Sequence, residues 1–297
     1  MSKRIKFLVG IVFSICLLFT ILFSGCLTEH SVTTYTLEIH HLSLGQADST
    51  LIMLPNGQTM LIDAGLPLFT NHVTGGAYVV YYIRSLGIST IDYLVVTHPH
   101  FDHIAALPSV IDAFIIHNLF MPDITHTTQA FERLLDSIER NELNIQLAHS
   151  GITIFDFYNL RADFIAPNSS GHRNLNNYSA VVRLDFNNNR FLFMGDAEAF
   201  SESEIITYVQ CIAADVLMIG HHGSSTSTTR SFLQAVSPRI AIISVGYNNS
   251  YGHPHTNVLE RLNYFDVEIF RTDLDGTIIV IYHNGIITVE RTGRNVL

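Results

Sequence analysis

Apolar and polar residues alternate at residues 35–42, and again at 49–54 and 59–63, where the last two runs flank Pro55-Asn56-Gly57. Alternation of period two puts every second side chain on one face, and a Pro-Asn-Gly turn between two such runs predicts an antiparallel hairpin. The period then lengthens. Residues 77–86 fit a helix packed on a sheet and stopped by Gly87. The unbroken apolar run Tyr93-Leu94-Val95-Val96 predicts a buried strand, and a helix follows at 104–113. Residues 128–142 place Phe131, Leu134, Leu135 and Ile138 on one face and Glu132, Arg133, Glu139 and Arg140 away from it, an amphipathic helix with a solvated charged side.

Short strands are expected at 119–121, 152–157 and 162–166, followed by a polar loop at 167–177. The second half repeats this layout with different residues. Segments 179–186 and 190–194 form a hairpin around Asn187-Asn188-Asn189, and Ser201 with Glu204 reads as the capping box of a helix running to residue 209. Strands are expected at 216–219, 240–245 and 267–270, a helix at 257–265, and a closing hairpin of 277–282 and 286–290 around Asn284-Gly285. Strands, then strands mixed with helices, twice over, predict an α/β chain of mixed α+β order. Two sheets lie face to face with helices outside, in a single domain.

The N-terminus follows a different rule. Lys3, Arg4 and Lys6 precede an almost wholly apolar run from Phe7 to Phe23, and Ser24-Gly25 puts small residues before Cys26. This resembles a lipoprotein signal over residues 1–25, with Cys26 as the lipid attachment site. An uncleaved single-span anchor is the alternative. Either places the rest of the chain outside the cytoplasm, membrane-bound or secreted. Residues 26–34 form a tether, 35–292 the domain and 293–297 a tail. Beyond the signal there is no lysine, and 13 arginines face 26 acidic residues, a formal charge near −13 (16 − 3 − 26). That argues against a broad basic surface for gripping duplex nucleic acid, and leaves open a local funnel at an active site. Of the cysteines only Cys211 lies beyond Cys26, so the domain holds no disulfide within the chain. Cys211 itself reads as a buried thiol.

The chemistry concentrates at Thr97-His98-Pro99-His100-Phe101-Asp102-His103, directly after the predicted strand at 93–96. Imidazole nitrogens and a carboxylate at the end of a strand are ligands for a borderline metal such as zinc. Other predicted strand ends carry Asp196, His221 with His222, and His253 with His255. Their convergence on one edge would make a two-metal site. His40, His41, His117, His126 and His149 lack ligand spacing and read as structural or solvated.

The H-x-H-x-D-H pattern resembles the signature of the metallo-β-lactamase superfamily. Gly45-Gln46-Ala47-Asp48-Ser49, Leu61-Ile62-Asp63-Ala64-Gly65, Asn177-Tyr178-Ser179, Phe193 to Glu198, His221-His222-Gly223-Ser224 and Gly252-His253-Pro254 narrow the likeness to the extracytoplasmic β-lactamase-like domain of ComEC-type competence proteins, over roughly residues 35–292. The resemblance implies a four-layer αββα sandwich and hydrolysis by water activated at two divalent metal ions, zinc first and manganese as the alternative. By position His98 and His100 belong to the first metal, Asp102, His103 and His221 to the second, and Asp196 bridges. Asp102 and His253 are the catalytic candidates. His222, Ser224, Asn177 and Ser179 are candidate substrate contacts, and Asp48 and Asp63 stand behind the ligands, although both types also cap turns.

Two departures stand out. Asn177-Tyr178-Ser179 occupies the place where many superfamily hydrolases carry a third histidine for the first metal, and His172 in the preceding loop is the nearest substitute in sequence. The family's Asp-Val-Gly-Gln-Gly-Asp stretch reads Ser43-Leu44-Gly45-Gln46-Ala47-Asp48. The resemblance implies a phosphodiester substrate, DNA or a nucleotide. Hydrolysis of a β-lactam or other ester or amide, and a non-catalytic DNA-uptake surface module, are the alternative readings. No protein partner is identifiable.

Overall fold

In the computed structural model, β1 (Thr36–His41), β2 (Thr50–Met53) and β3 (Thr59–Ile62) run antiparallel, with the β2–β3 turn closed at Gly57 (φ +85°). The structure describes residues 36–66 and 72–293. The signal-type segment, Cys26 and the tether lie outside the described residues, as do residues 294–297. Among the described residues no helix is long and apolar enough to cross a membrane.

After β3 the chain winds as α1 (His72–Ser85), β4 (Thr90–Val95), α2 (Phe101–Ile104), α3 (Leu107–Ala113), β5 (Ile115–Met121), α4 (Gln129–Arg140) and β6 (Ile145–Leu147). The second sheet takes β7 (Thr153–Phe157), β8 (Leu160–Ala166), β9 (Val181–Phe186), β10 (Asn189–Phe193), α5 (Ala199–Tyr208), β11 (Val216–Met218), α6 (Arg230–Val236), β12 (Ile240–Ile243), α7 (Thr256–Tyr264) and β13 (Glu268–Arg271). A short α8 (Thr272–Asp275) then returns the chain to the first sheet through β14 (Ile278–His283) and β15 (Ile286–Arg291). The sheet orders are β15-β14-β1-β2-β3-β4-β5-β6 and β13-β12-β11-β10-β9-β8-β7.

Strand alternation sorts the apolar side chains into three cores. Met60 and Ile62 face the other sheet with Phe164, Phe191 and Phe193, while Leu61 between them faces Val79, Leu107 and Leu134 of the helices. On the second sheet Val182 and Leu184 point inward, whereas Val181 and Leu192 meet Ile205, Phe232 and Leu262. Apolar cores inside and outside each sheet make the αββα sandwich that the sequence predicts.

Several local expectations change. The helix expected at 104–113 is two pieces, because the Ala106 N–H is drawn to the Ala64 carbonyl (2.8 Å) and Pro108 opens a new first turn. The capping box at Ser201 is not formed. The helix starts earlier, at Ala199, and the Ser201 N–H donates to the Asn177 side chain (3.2 Å). The helix α6, absent from the expected elements, is started by Thr229, whose hydroxyl accepts from the Phe232 N–H (3.3 Å). Strand β6 is exposed at every residue and so leaves no alternation to read. Cys211 is exposed rather than buried, beside Arg183 and Arg190 in the connection after α5.

Candidate metal centre

The residues of the H-x-H-x-D-H loop are fixed first by backbone. The loop leaves β4, and the carbonyls of Asp102 and His103 accept from the N–H groups of Asp48 and Ala64, each at 2.9 Å. Gly65 N–H in turn donates to the Asp48 carbonyl (2.9 Å), so three separate turns interlock under the histidines. A Cβ on Gly65 would lie 1.5 Å from the Asp102 carbonyl oxygen, which explains why only glycine fits there.

Asp63 ends β3 in the left-handed region (φ +57°). One of its oxygens accepts from the Thr97 N–H (2.8 Å), and the other accepts from the Thr97 hydroxyl (2.5 Å) and from His103 Nδ1 (2.7 Å). That hydrogen bond sets the ring's tautomer and aims Nε2 at Asp196, 3.2 Å from Oδ1. Asp196 follows Gly195 (φ +52°) at the end of β10, and its N–H donates to the Ser179 hydroxyl (3.0 Å).

His222 receives parallel treatment. Its Nδ1 donates to the Ser244 carbonyl (2.9 Å), with Asp48 Oδ1 3.5 Å away. Its Nε2 lies 3.2 Å from Asp102 and 3.7 Å from Asp196. On the other side His98 Nε2 and His100 Nδ1 stand 3.0 Å apart, with Asp196 Oδ2 3.5 Å from the former.

Two donor sets result, Asp48/His103/Asp196/His222 and His98/His100/Asp196, and Asp196 belongs to both. His103 Nε2, Asp196 Oδ1 and Asp48 Oδ1 are buried without a hydrogen-bond partner. His103 Nε2 and Asp196 Oδ1 are close yet lack hydrogen-bond alignment. Buried polar atoms are rarely left so, and nitrogen and carboxylate donors converging on shared points fit divalent cations. Asp102 stands outside these sets but is the cluster's more open carboxylate, its side chain 23% accessible against 2% for Asp196.

The other predicted residues separate into distinct places. His221, expected at the second metal, has Nε2 3.8 Å from Asp196 and turns Nδ1 to Glu198 (3.2 Å) and Thr226 (3.1 Å). Its neighbour His222, expected at the substrate, occupies the donor position instead. The local reason is backbone. Both residues have positive φ, +50° and +53°, so the turn throws successive rings in different directions. Asn177 holds the start of α5 and Ser179 holds Asp196, so neither presents its side chain to a substrate. Ser224 is buried and bonded to Thr226 (3.0 Å). His253 does line the mouth, its ring centroid 5.6 Å from that of His221, while His255 accepts from the Ser225 N–H (2.9 Å). His172 bonds the Ser169 carbonyl (3.0 Å) and packs on Tyr178 and Phe200, away from the donor sets.

Thr97, Glu198 and Gln46 were not singled out by sequence. Glu198 gathers His221, Thr226 (3.0 Å) and Asn176 (3.1 Å), and Gln46 accepts from the Gly246 N–H (3.1 Å) while its amide reaches towards His253. Glu198 closes the motif that begins at Phe193, and its nearness to Asp196 was the signal for it.

Electrostatics follow from this packing. Burial disfavours the imidazolium of His103, yet Asp196 and Asp63 outweigh it and raise its pKa well above 6.5. His222 is likewise raised against burial by Asp48, Asp196 and Asp102. Burial would raise Asp196, but His103 and His222 hold it well below 3.8, and Asp102 is lowered in the same way by His222 and His103. Burial and His98 bring His100 down to about 4. Burial, His222 and His221 do the same to His253, also about 4.

A pH prediction follows for the metal-free protein. The raised histidines contribute stability that is whole below pH 6.5 and is lost as pH rises through their folded pKa values. The depressed aspartates contribute stability that is whole above 3.8 and is lost as pH falls through theirs. His100 and His253, lowered to about 4, contribute in the other sense, a stability that is whole above pH 6.5 and is lost as pH falls towards 4. The chelated protein should therefore melt highest at about pH 6.5 and lose Tm as pH rises above it. Added zinc must displace the histidine protons, so its stabilisation should grow over the same interval. Melting curves at several pH values, with chelator and with zinc, check this. A chelated Tm that climbs above neutrality contradicts it.

Ligand identity is separable too. His222→Ala should weaken metal binding by about 10–100-fold or more, whereas His221→Ala should leave stoichiometry unchanged, as measured by equilibrium dialysis.

A family model described as the metallo-beta-lactamase superfamily matches residues 42–247. The chain is 29% identical to ComE operon protein 3 of Bacillus subtilis over 258 residues, covering 83% of this chain and 33% of that protein. It is 28% identical to Recombination protein 2 of Haemophilus influenzae over 260 residues, 86% of this chain and 30% of the relative. The chain thus spans about a third of the length of these curated relatives, which agree with the ComEC-type likeness of the motifs. Among solved structures, Igni18, a metallo hydrolase from Ignicoccus hospitalis, superposes with a TM-score of 0.52 at 14% identity, over 82% of this chain and 98% of that one. The diiron β-hydroxylase CmlA from Streptomyces venezuelae gives 0.51 at 14%, over 79% and 52%. At such identities the likeness is one of fold.

Proposed function

The chain belongs to the metallo-β-lactamase superfamily, and from that premise we propose that it is a metal-dependent phosphodiesterase working outside the cytoplasm on DNA or a nucleotide. The observation that carries this reading is the pair of donor sets joined at Asp196, an arrangement suited to a phosphodiester whose attacking and leaving oxygens both need stabilising. Two divalent ions, zinc or manganese, would activate water and offset charge on the phosphate. His98, His100 and Asp196 would hold one ion, and His103, His222 and Asp196 the other, with Asp48 at the Nδ1 edge of His222.

The chain's own groups do the rest. Asp63 fixes the His103 ring through Nδ1, and Asp48 with the Ser244 carbonyl fixes His222. Asp102, partly open to solvent and 3.2 Å from His222 Nε2, would orient the attacking water as a hydrogen-bond acceptor. His253, beside His221 and His222, would contact the phosphate. Recombination protein 2 of Haemophilus influenzae, and Competence protein ComA of Neisseria gonorrhoeae, 35% identical over 117 residues, carry names that refer to recombination and competence, which favours a nucleic-acid phosphodiester over a β-lactam. Attachment through a lipid on Cys26, or through the apolar segment, would hold the domain at the membrane surface.

The test is an assay of the full chain on bis(4-nitrophenyl) phosphate, single- and double-stranded DNA and a chromogenic β-lactam, with and without chelator. Chelator-sensitive phosphodiester cleavage that Asp102→Ala abolishes is the expected result. Turnover of the β-lactam alone, or no turnover of any substrate with zinc or manganese, contradicts the proposal. Cys26→Ser should release the protein from the membrane fraction if lipid is the anchor, and an unchanged fraction favours the uncleaved span.

A further inference from the structure

A row of three aromatic planes leads from the metal centre to solvent. The ring of His253 lies nearly parallel to that of His222, at an interplanar angle of 23° and a centroid distance of 6.3 Å. Tyr251 in turn lies nearly parallel to His253, at 25° and 5.7 Å. The innermost ring is a metal-donor histidine, buried to 2%, while the outermost is 49% exposed. Such spacings are those of offset-stacked rings, and a further planar ring could extend the row.

The backbone holds this row in place. Asn249 Oδ1 accepts from the N–H groups of both Tyr251 (3.1 Å) and His253 (3.0 Å), and its Nδ2 donates to the carbonyls of Gly246 and His253. Gly252 links the two rings with φ +73°, and a Cβ there would meet nothing within 4 Å. The loop is therefore braced from beneath and open in front.

Charge points the same way. No lysine follows residue 6, and Arg140, Arg161, Arg183, Arg239, Arg271 and Arg291 are each paired with aspartates. With about half of the arginines beyond the N-terminus neutralised in this way, the cationic groups left to track a phosphate backbone are few. Stacking needs no charge, and it is open to unpaired bases alone, because in a duplex both faces of each base are already covered.

We propose that Tyr251 takes an unpaired nucleobase beside the scissile phosphodiester, as the outermost plane of the stack that runs through His253 to His222. The substrate is then single-stranded nucleic acid or a nucleotide, which share this chemistry. The inference rests on the phosphodiesterase reading above.

The experiment compares kcat/KM of the full chain in detergent on a single-stranded oligodeoxynucleotide, an abasic strand of the same length, a duplex and a dinucleotide. The wild type should prefer base-bearing single strands over abasic and duplex DNA. Tyr251→Ala should lower the preference over the abasic strand by about fivefold or more, with an unchanged melting temperature, and Tyr251→Phe should keep it. The dinucleotide arm tells a single stacked base from a requirement for longer strand. Cleavage of both strands with a preference that Tyr251→Ala does not move overturns the stack alone, as does equal cutting of duplex and single strands by the wild type. Failure of the wild type to cut any phosphodiester overturns the underlying reading together with it.

Discussion

Replacing Asp196 with alanine is expected to strip metal from both donor sets at once and to lower hydrolysis by about a thousandfold or more. Its Oδ1 lies 3.2 Å from His103 and 3.7 Å from His222, and its Oδ2 lies 3.5 Å from His98. No other residue belongs to both sets. The carboxylate is buried and held ionised by His103 and His222, so its loss also leaves those two imidazoles without their counter-charge. Asp196→Asn keeps the shape and separates the effects. It should fold, bind little metal, and gain no Tm from zinc, as elemental analysis and melting curves would show. Retention of one full equivalent of metal in Asp196→Asn would mean that the sets are not joined through this residue.

The second large effect comes from a residue with no functional group. Gly65→Ala should cost about 3 kcal/mol of stability or more, because its Cβ would sit 1.5 Å from the Asp102 carbonyl oxygen and 2.1 Å from the carbonyl carbon. Backbone cannot rotate aside as a side chain can. The Asp48, Ala64 and Gly65 N–H groups all participate in the same interlocked turns, so any relief displaces Asp102 and His103. Denaturant unfolding of Gly65→Ala beside Gly57→Ala measures this, since Gly57 strains its φ of +85° but has nothing within 4 Å of an added Cβ. A smaller loss at position 65 than at position 57 would contradict the role given to this contact.

The fold was legible where one face of an element is buried and the other is not. Leu61 between Met60 and Ile62 shows it, since the residues turn to different cores and leave a clear period of two. It was not legible in β6, which buries nothing, or in α6, where a Thr cap follows a Ser/Thr run typical of loops. The pairing of β14 with β1 joins the two ends of the domain, and local pattern carries no information about such distant partners.

At the site, the clustering of three imidazoles and a carboxylate within H-x-H-x-D-H is enough to point to metal chemistry. The choice between His221 and His222 could not be made in the same way, because adjacent identical residues differ only in where a left-handed turn sends each ring. Asn177 and Ser179 illustrate a related limit. Their position in a family motif is compatible with substrate contact or with scaffolding, and only the hydrogen bonds to Ser201 and Asp196 show them as scaffold.

The central claim is that two ions joined at Asp196 carry phosphodiester hydrolysis. Titrating the metal-stripped chain with zinc or manganese while following cleavage of bis(4-nitrophenyl) phosphate tests it most directly. No turnover in chelator, and full turnover only as the second equivalent binds, is the expected result. Turnover that survives chelation, or that is complete at one equivalent, would contradict it.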